Sequence, residues 1–130
     1  MIEVSKVSKA RDKREKGYHK LLLWQRFKEF IKLVYFLTEK LPKDEEFGLK
    51  PQMKRAIVSV ISNFVEGYLK TSMKEKIRFN EIAKTSLQEL EAQGEICLIL
   101  GYWTMDDYDR FDEKRGEVAY LLFRYTAQIK

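Results

Sequence analysis

Apolar residues recur every three or four positions along most of the chain, and this spacing is typical of amphipathic α-helices. It predicts four helices, over about 21–41, 51–68, 73–101 and 105–129, separated by short connectors. No stretch alternates apolar and polar residues as a half-buried strand would. Four such helices pack most simply as an all-α, up-down-up-down four-helix bundle.

Local signals mark three of the helix starts. Pro51 suits a first helical turn, because the N–H that proline lacks would have no helical partner there. Ser72 followed by Glu75 has the spacing of a capping box, which predicts that the third helix begins at Met73. Thr104 is the candidate N-cap of the fourth helix.

The second helix is apolar around most of its circumference but carries one polar stripe. At ~100° per residue, six polar side chains fall within one arc of roughly 100°. They are Gln52, Arg55, Ser59, Ser62, Asn63 and Glu66. Three interpretations are open: catalytic groups, a polar network that fixes helix packing, or a surface that contacts nucleic acid.

The residues give the catalytic interpretation little support. It would use Glu66 or Glu89 as a general acid or base, beside Arg55 and Asn63. The chain has one His, one Cys, no HExxH motif, no Glu-x-x-His pair and no glycine-rich phosphate loop. We therefore expect no enzyme activity, no metal site and no cofactor.

The favoured interpretation is a structural network, because polar groups that leave water must find hydrogen-bond partners. On the third helix, Ser86 and Glu89 lie one turn apart, and we expect Glu89 to form a charge-assisted pair with Arg55. The other stripe residues would bond to a neighbouring helix or a second subunit. The predicted network comprises Gln52, Arg55, Ser59, Asn63, Glu66, Ser86 and Glu89.

The net charge of +5 is unevenly distributed, with eight cations against three carboxylates in residues 50–84 and five against nine in 85–130. Two basic clusters are candidates for binding the phosphates of RNA or DNA. They are Lys6, Lys9, Arg11, Lys13, Arg14, Lys16 and Lys20 before the first helix, and Lys70, Lys74, Lys76 and Arg78 after the second. Ordinary solvated lysines are the alternative, but two clusters in one small chain favour a polyanionic partner.

Size and cysteine usage define the broad class. A chain of 130 residues, 45% hydrophobic and 35% charged, predicts one folded domain over 20–130 after a basic N-terminal tail over 1–19. The single Cys97 leaves no disulfide framework, which fits a reducing compartment. The start of the chain lacks an apolar signal region, and runs such as LLLW and CLIL are too short to cross a bilayer. We expect a cytoplasmic protein with no membrane partner.

An ordered series of residues over about 20–100 resembles a known family. The series is Trp24, Gln25, Tyr35, Leu37, Gly48, Leu49, Gln52, Arg55, Ala56, Ser59, Asn63, Glu66, Gly67, Phe79, Ala83, Ser86 and Glu89. It is similar to the four-helix-bundle proteins encoded in intervening sequences of bacterial large-subunit ribosomal RNA genes. It is also similar to their relatives, the accessory variability determinants of diversity-generating retroelements.

The resemblance implies a homopentameric ring in which the polar stripe serves contacts within and between subunits. For the retroelement relatives it implies a non-catalytic adaptor that binds a reverse transcriptase and its template RNA during mutagenic cDNA synthesis. The basic tail departs from the shorter starts of many intervening-sequence relatives, and this favours the retroelement role. The alternative is an intervening-sequence protein with a structural or protein-docking role and no RNA binding.

Overall fold

The computed structural model describes residues 16–129, which fold into four α-helices with no β-strand in that range. Helix α1 spans Leu22–Thr38, α2 Leu49–Tyr68, α3 Met73–Ile99 and α4 Met105–Ile129. Single turns of 3-10 helix, Gly17–Lys20 and Lys43–Glu45, precede α1 and α2. Since α1 and α3 each pack against both α2 and α4, the four helices enclose one core. The predicted all-α four-helix bundle is confirmed.

Side-chain contacts show that neighbouring helices run in opposite directions. As the residue number rises in one helix of each neighbouring pair, the number of the residue that it contacts in the other helix falls. The contacts are Phe27–Phe64 and Tyr35–Lys54 between α1 and α2, Met53–Cys97 and Ser59–Ser86 between α2 and α3, and Arg26–Glu117 and Lys40–Asp107 between α1 and α4. The start of α1 and the α2–α3 turn therefore share one end of the bundle. The α1–α2 and α3–α4 connectors share the other end.

The predicted caps form at two helix starts. Ser72 Oγ accepts a hydrogen bond from the backbone N–H of Glu75 at 3.3 Å, and α3 begins at Met73 as predicted. At the start of α4 the cap is reciprocal. Asp107 N donates to Thr104 Oγ1 at 3.1 Å, while Thr104 N donates to Asp107 Oδ2 at 3.2 Å. These bonds satisfy backbone donors that the first turn of a helix leaves without helical partners.

Helix α1 ends at Thr38, three residues before the predicted end at Leu41. The residue before a proline is disfavoured in the α conformation, so Pro42 unwinds the turn that precedes it. The Thr38 hydroxyl donates to the carbonyl of Tyr35 at 2.8 Å, and the Leu41 N–H donates to the Thr38 carbonyl at 3.2 Å. Leu41 is nevertheless buried, because the tightened turn keeps its side chain on the core.

Apolar side chains from all four helices fill the core. Its largest fully buried members are Phe27, Phe30, Phe64, Phe111, Leu23, Leu37, Met53, Ile57, Leu90 and Leu122. Helical spacing places Ile82 and Met105 on the apolar faces of α3 and α4, but their exposed fractions are 37% and 61%. It missed the buried polar pair Asn80 and Thr126, in which Asn80 Nδ2 donates to Thr126 Oγ1.

Two further findings concern membrane spanning and the single cysteine. None of the helices formed by residues 16–129 is long and apolar enough to cross a membrane. Cys97 is fully buried, and burial, with a smaller effect of Glu45, raises the pKa of its thiol to about 12. Cys97 therefore stays protonated at neutral pH and packs as a small core residue.

Two helical glycines provide a test of the packing between α3 and α4. A Cβ added at Gly94 would overlap the buried ring of Phe111, whereas a Cβ at Gly116 would meet no atom within 4 Å. We expect Gly94→Ala to lower the free energy of unfolding by about 1–3 kcal/mol, because the ring must leave its packed position. The control Gly116→Ala should raise it by about 0.5–1 kcal/mol, since alanine favours the helix. Urea unfolding measures both; equal effects would contradict the Gly94–Phe111 packing.

Candidate nucleic-acid interface and polar cleft

Lys16 and Lys20, the described members of the first predicted basic cluster, lie at the same end of the bundle as the second cluster. The segment 16–20 packs beside the C-terminus of α2, where the rings of Tyr18 and Tyr68 have centroids 6.0 Å apart. This contact brings Lys16 and Lys20 to the end that carries the α2–α3 turn. We call this end, formed by residues 16–20 and 66–78, the basic end; it holds six Lys or Arg against two carboxylates.

An aromatic cluster fixes the chain at this position. Tyr18 contacts Trp24 edge-to-face with centroids 5.0 Å apart, and the His19 and Trp24 rings lie 5.2 Å apart. His19 is half-buried, and its Nδ1 accepts a hydrogen bond from Lys16 N at 2.9 Å. The predicted binding residues Lys6, Lys9, Arg11, Lys13 and Arg14 lie outside the described residues. The chain enters the described structure at the basic end.

The cations of the α2–α3 turn have different local roles. Lys76 Nζ donates to the carbonyl of Tyr68 at 2.9 Å, and so it caps the C-terminus of α2. Arg78 and Lys70 both lie against the ring of Phe79, with 4.5 Å and 5.4 Å to the ring centroid. Lys74 is exposed, and within residues 16–129 it forms no ion pair.

Two of these cations also have carboxylate partners. Arg78 Nε lies 2.9 Å from Glu75 Oε2, and Lys70 Nζ lies 3.7 Å from Glu66 Oε1. Both pairs are largely exposed, so they stabilise the fold little and exchange readily with a competing anion. Glu66, a member of the predicted network, therefore faces the basic end through Lys70.

The opposite end of the bundle is acidic. Residues 39–46 and 106–109, which we call the acidic end, hold seven carboxylates against two lysines. Lys40 Nζ donates to Asp107 Oδ1 at 3.0 Å. Desolvation opposes the charge on Asp107, but the hydrogen bonds from Lys40 and Thr104 prevail and hold the pKa of this carboxyl below its usual value. Within these two sets of residues, cations predominate at one end of the bundle and carboxylates at the other.

Part of the predicted polar network is present between α2 and α3. The hydroxyls of Ser59 and Ser86 are 2.7 Å apart, and Asn63 Nδ2 donates to Ser59 O and Oγ at 2.9 and 3.1 Å. These three side chains are half-buried and satisfy one another. They lie opposite each other because the two helices are antiparallel.

The other predicted members border an open cleft instead. Gln52, Arg55 and Glu89 line a cleft of about 300 Å³ together with Ala56, Ser59 and Gln93. Arg55 and Glu89 are exposed, and no ion pair joins them in the described chain. An exposed pair of long side chains gains little from contact in water, so nothing in one copy of the chain holds the two together.

Gln93 is the residue of this cleft that sequence reasoning missed. Its side chain is 7% exposed, and its Oε1 is buried without a hydrogen-bond partner in the described structure. One signal for it existed in the sequence, since Gln93 lies one helical turn beyond Glu89 on the same face of α3. A buried acceptor without a donor costs free energy, on the order of 1–3 kcal/mol.

A second groove lies on the other side of α2. It has a volume of about 470 Å³ and is lined by Tyr35, Lys54, Arg55, Val58, Ser59 and Ser62. Lys54 Nζ lies 4.8 Å from the centroid of the Tyr35 ring. The polar stripe of α2 is therefore a ridge with a cleft toward α3 and a groove toward α1.

Over residues 16–129, no three His, Cys, Asp or Glu side chains are grouped so that they would hold a metal ion.

Lys76 and Lys74 separate a structural cation from a surface one. Lys76→Met should lower the free energy of unfolding by about 1 kcal/mol, because it removes the ammonium that caps α2 and keeps most of the aliphatic stem. The matched control Lys74→Met should leave stability unchanged or slightly higher, since Lys74 lies near the positive end of the α3 dipole. Thermal or urea unfolding measures both. A loss of stability that is equal in the two variants would contradict the capping role.

Comparison with known proteins supports this architecture. Residues 19–124 match a family described as 23S rRNA-intervening sequence protein. No curated protein matches the chain significantly. The chain is also similar to the crystal structure of a protein of unknown function from the S23 ribosomal protein family of Bacteroides thetaiotaomicron, with a TM-score of 0.74 and 23% identity over 81% of this chain and 98% of that one. That likeness shows the fold. Because the family match extends over most of the chain and reaches all four helices, the chain belongs to the 23S rRNA-intervening sequence protein family.

Proposed function

We propose that this protein is a non-catalytic adaptor that binds RNA as a homo-oligomer. One observation carries the proposal: six cations from two separate parts of the sequence gather at the basic end, against two carboxylates. The aromatic cluster holds Lys16 and Lys20 at that end, so the charge is concentrated by the fold. A surface of this kind binds phosphates and releases counterions from the nucleic acid.

The available cations determine the mode of binding. Lys74 has no carboxylate partner in the described structure, while Lys70 and Arg78 have exposed partners that RNA phosphates displace at low cost. Phe79 is half-buried and has Lys70 and Arg78 against its ring, so it is not a freely exposed stacking surface. We therefore propose contacts that are mainly to the RNA backbone, with little sequence discrimination.

The side chains that the catalytic interpretation used are divided between two places, since Arg55 and Glu89 line the cleft between α2 and α3 and Glu66 does not. Glu66 lies beside Lys70 at the basic end, whereas Arg55 borders the cleft and the groove of α2. Cys97, the one thiol, is buried and protonated. These placements support a protein that acts by binding.

The assembly and the partner complete the proposal. The sequence resemblance implies a ring of five copies, and an oligomer multiplies the basic ends that one RNA contacts. It also implies that a diversity-generating retroelement provides the partners, a reverse transcriptase and its template RNA. Exposed apolar side chains at and near the acidic end, such as Phe47 and Ile99, leave that end available to a protein partner.

A second function has an observation of its own. The cleft that contains Arg55, Glu89 and Gln93 presents charged and polar groups without partners in one copy, which suits docking of a protein rather than RNA. A protein whose role is self-association or protein docking alone would form an oligomer and ignore RNA at any salt concentration. The chain belongs to the family of 23S rRNA-intervening sequence proteins. For such a protein, a structural or protein-docking role without RNA binding is the alternative to the adaptor function.

The test combines particle mass with salt dependence. Light scattering of the parent protein should give a mass several times 15.6 kDa, with RNA taken up at low salt and released at high salt. The double variant Lys20→Gln, Lys74→Gln should weaken RNA binding and lower the slope of log K against log salt by about 0.7 for each lysine that contacts single-stranded RNA. Lys43→Gln, at the acidic end, is the matched control and should change neither.

Three outcomes would count against the proposal. RNA affinity that does not change with salt would refute backbone binding. An oligomer that takes up no RNA at low salt would favour the docking function. An equal loss of affinity in Lys43→Gln would show that the basic end has no special role.

A further inference from the structure

The outer face of α4 carries two exposed aromatic rings. Tyr120 and Phe123 keep exposed fractions of 56% and 63%, whereas Val118, Leu122 and Tyr125 on the same helix are buried in the core. Residues three apart on a helix are neighbours, with Cβ atoms about 5–6 Å apart, so the two rings share one stretch of surface. We call Tyr120 and Phe123 the ring pair.

The ring pair lies close to the basic end. The ring of Tyr125, two residues beyond Phe123, has its centroid 6.1 Å from that of Tyr68, which belongs to the basic end. At about 1.5 Å per residue, Phe123 is about 3 Å and Tyr120 about 7.5 Å along α4 from the level of Tyr125. An RNA strand held at the basic end therefore reaches both rings by continuing a short way along α4.

Arg124 lies against one of the two rings. Its guanidinium carbon is 5.8 Å from the centroid of the Tyr120 ring, and its Nη1 donates to the Tyr120 hydroxyl at 3.2 Å. A guanidinium beside an aromatic ring provides a charge for a phosphate and a flat group for a base. The two contacts also restrict the direction of the Tyr120 side chain.

A lysine of α3 lies beside the ring pair across a cleft. Lys84 and Leu122 both line a cleft of about 190 Å³ between α3 and α4, and Leu122 lies between Tyr120 and Phe123 in the helix. Lys84 Nζ is 3.5 Å from Glu81 Oε1, and both side chains are partly exposed, so a phosphate competes with this carboxylate at low cost. The ring pair therefore has one cation beside it on α4 and another across the cleft on α3.

The charge of α4 changes halfway along the helix. Residues 105–117 hold six carboxylates and three cations, whereas residues 118–129 hold no carboxylate and one cation, Arg124. The first half disfavours a polyanion and favours a basic protein segment, while the second half presents a polyanion with no carboxylate. Because the ring pair lies in the second half, the charge favours nucleic acid as its ligand.

The apolar surface here consists mainly of the two rings. The residues one helical turn away from them toward the same side are Gly116, Ala119, Arg124 and Ala127. A stable interface between proteins buries about 800 Å² on each partner around an apolar centre, and two rings with such neighbours supply a small part of that. A nucleobase needs only one ring face, on which any base stacks.

We propose that Tyr120 and Phe123 stack against unpaired bases of a single-stranded RNA segment whose phosphates contact Arg124 and Lys84. This inference rests on the proposed RNA-binding function and extends its surface from the basic end onto α4. Stacking accepts every base, so it adds affinity without sequence discrimination. It also favours single strands over duplexes, because paired bases are already stacked on their neighbours.

Removal of the rings without loss of apolar surface tests stacking. The double variant Tyr120→Leu, Phe123→Leu should bind a uridine oligonucleotide of about 12 nucleotides roughly five- to fiftyfold more weakly than the parent. Fluorescence anisotropy across a salt series measures this affinity. The slope of log K against log salt should stay that of the parent, because a ring neutralises no phosphate.

Two control variants separate stacking from other effects. Tyr120→Phe, Phe123→Tyr keeps a ring at each position and should bind like the parent. Phe47→Leu removes a ring that is 95% exposed next to the acidic end, and it should also bind like the parent. Because all three positions are exposed, circular dichroism should show an unchanged fold in every variant.

A change in the RNA gives a second measurement that leaves the protein intact. An abasic oligomer of the same length keeps the phosphates and removes every base. The parent should bind it more weakly than the uridine oligonucleotide, by a factor similar to that of the leucine variant. The leucine variant should bind the two oligomers almost equally, since it has lost the rings on which the bases stack.

The outcomes distinguish this proposal from the broader one. A parent protein that binds no RNA at low salt refutes the RNA-binding function and this site together. Equal RNA affinity in the leucine variant, equal affinity for the abasic oligomer, or an equal loss in Phe47→Leu refutes stacking while the RNA-binding function stands. A leucine variant that loses self-association and keeps RNA affinity, measured by light scattering, refutes it too and assigns the rings to a protein contact. Weaker binding in both measurements at a constant salt slope confirms the site.

Discussion

The register between α2 and α3 determines where every polar group of the stripe lies. The Ser59 and Ser86 hydroxyls meet at 2.7 Å, and the antiparallel direction of the helices then places Gln52 and Arg55 on the side of Glu89 and Gln93. If α3 moved along α2 by one helical turn, the two hydroxyls would separate and different side chains would line the cleft. The small hydroxyls allow the helices to approach here, whereas the long side chains farther along hold an opening. One contact therefore produces both the satisfied part of the network and the unfilled part.

Antiparallel topology also produces the charge separation. Residues 16–20 and 70–78 are some 50 positions apart in the sequence, yet each adjoins the same end because α1 runs away from that end and α2 returns to it. The carboxylates of the connectors collect at the other end for the same reason. The packing of Tyr18 against Tyr68 then holds residues 16–20 beside the C-terminus of α2, so the charges of Lys16 and Lys20 stay at this end. The position of Lys16 and Lys20 at the basic end thus depends on an aromatic contact near the start of the described chain.

Sequence reasoning succeeded where the physics is local. The starts of α3 and α4 follow from Ser72 and Thr104, whose side chains act on backbone groups three residues away. Ser59 and Ser86 were both predicted members of the polar network, and the structure joins them directly. It failed where the outcome depends on whether two helices leave space. The Arg55–Glu89 pair needs both side chains to leave water, and the open cleft lets both stay hydrated. Gln93 was missed because burial of a polar residue is decided by its neighbours on α2 and α4, and helical spacing on α3 carries no information about them.

A single copy of this bundle retains defects that its core does not explain. Gln93 borders the open cleft, and its buried Oε1 has no hydrogen-bond partner among the described residues. Replacement by an apolar side chain would remove the unsatisfied acceptor at little structural cost. A polar group in such a position is useful to a protein that completes its hydrogen bonds with another molecule, because the energy lost in the free chain is recovered on association. Arg55 and Glu89 differ from Gln93 in this respect, because both are exposed and their charges cost little in the free chain. The polar stripe of α2 thus has a satisfied part, where Ser59 and Asn63 complete their hydrogen bonds within one copy, and an open part that borders a cleft and a groove.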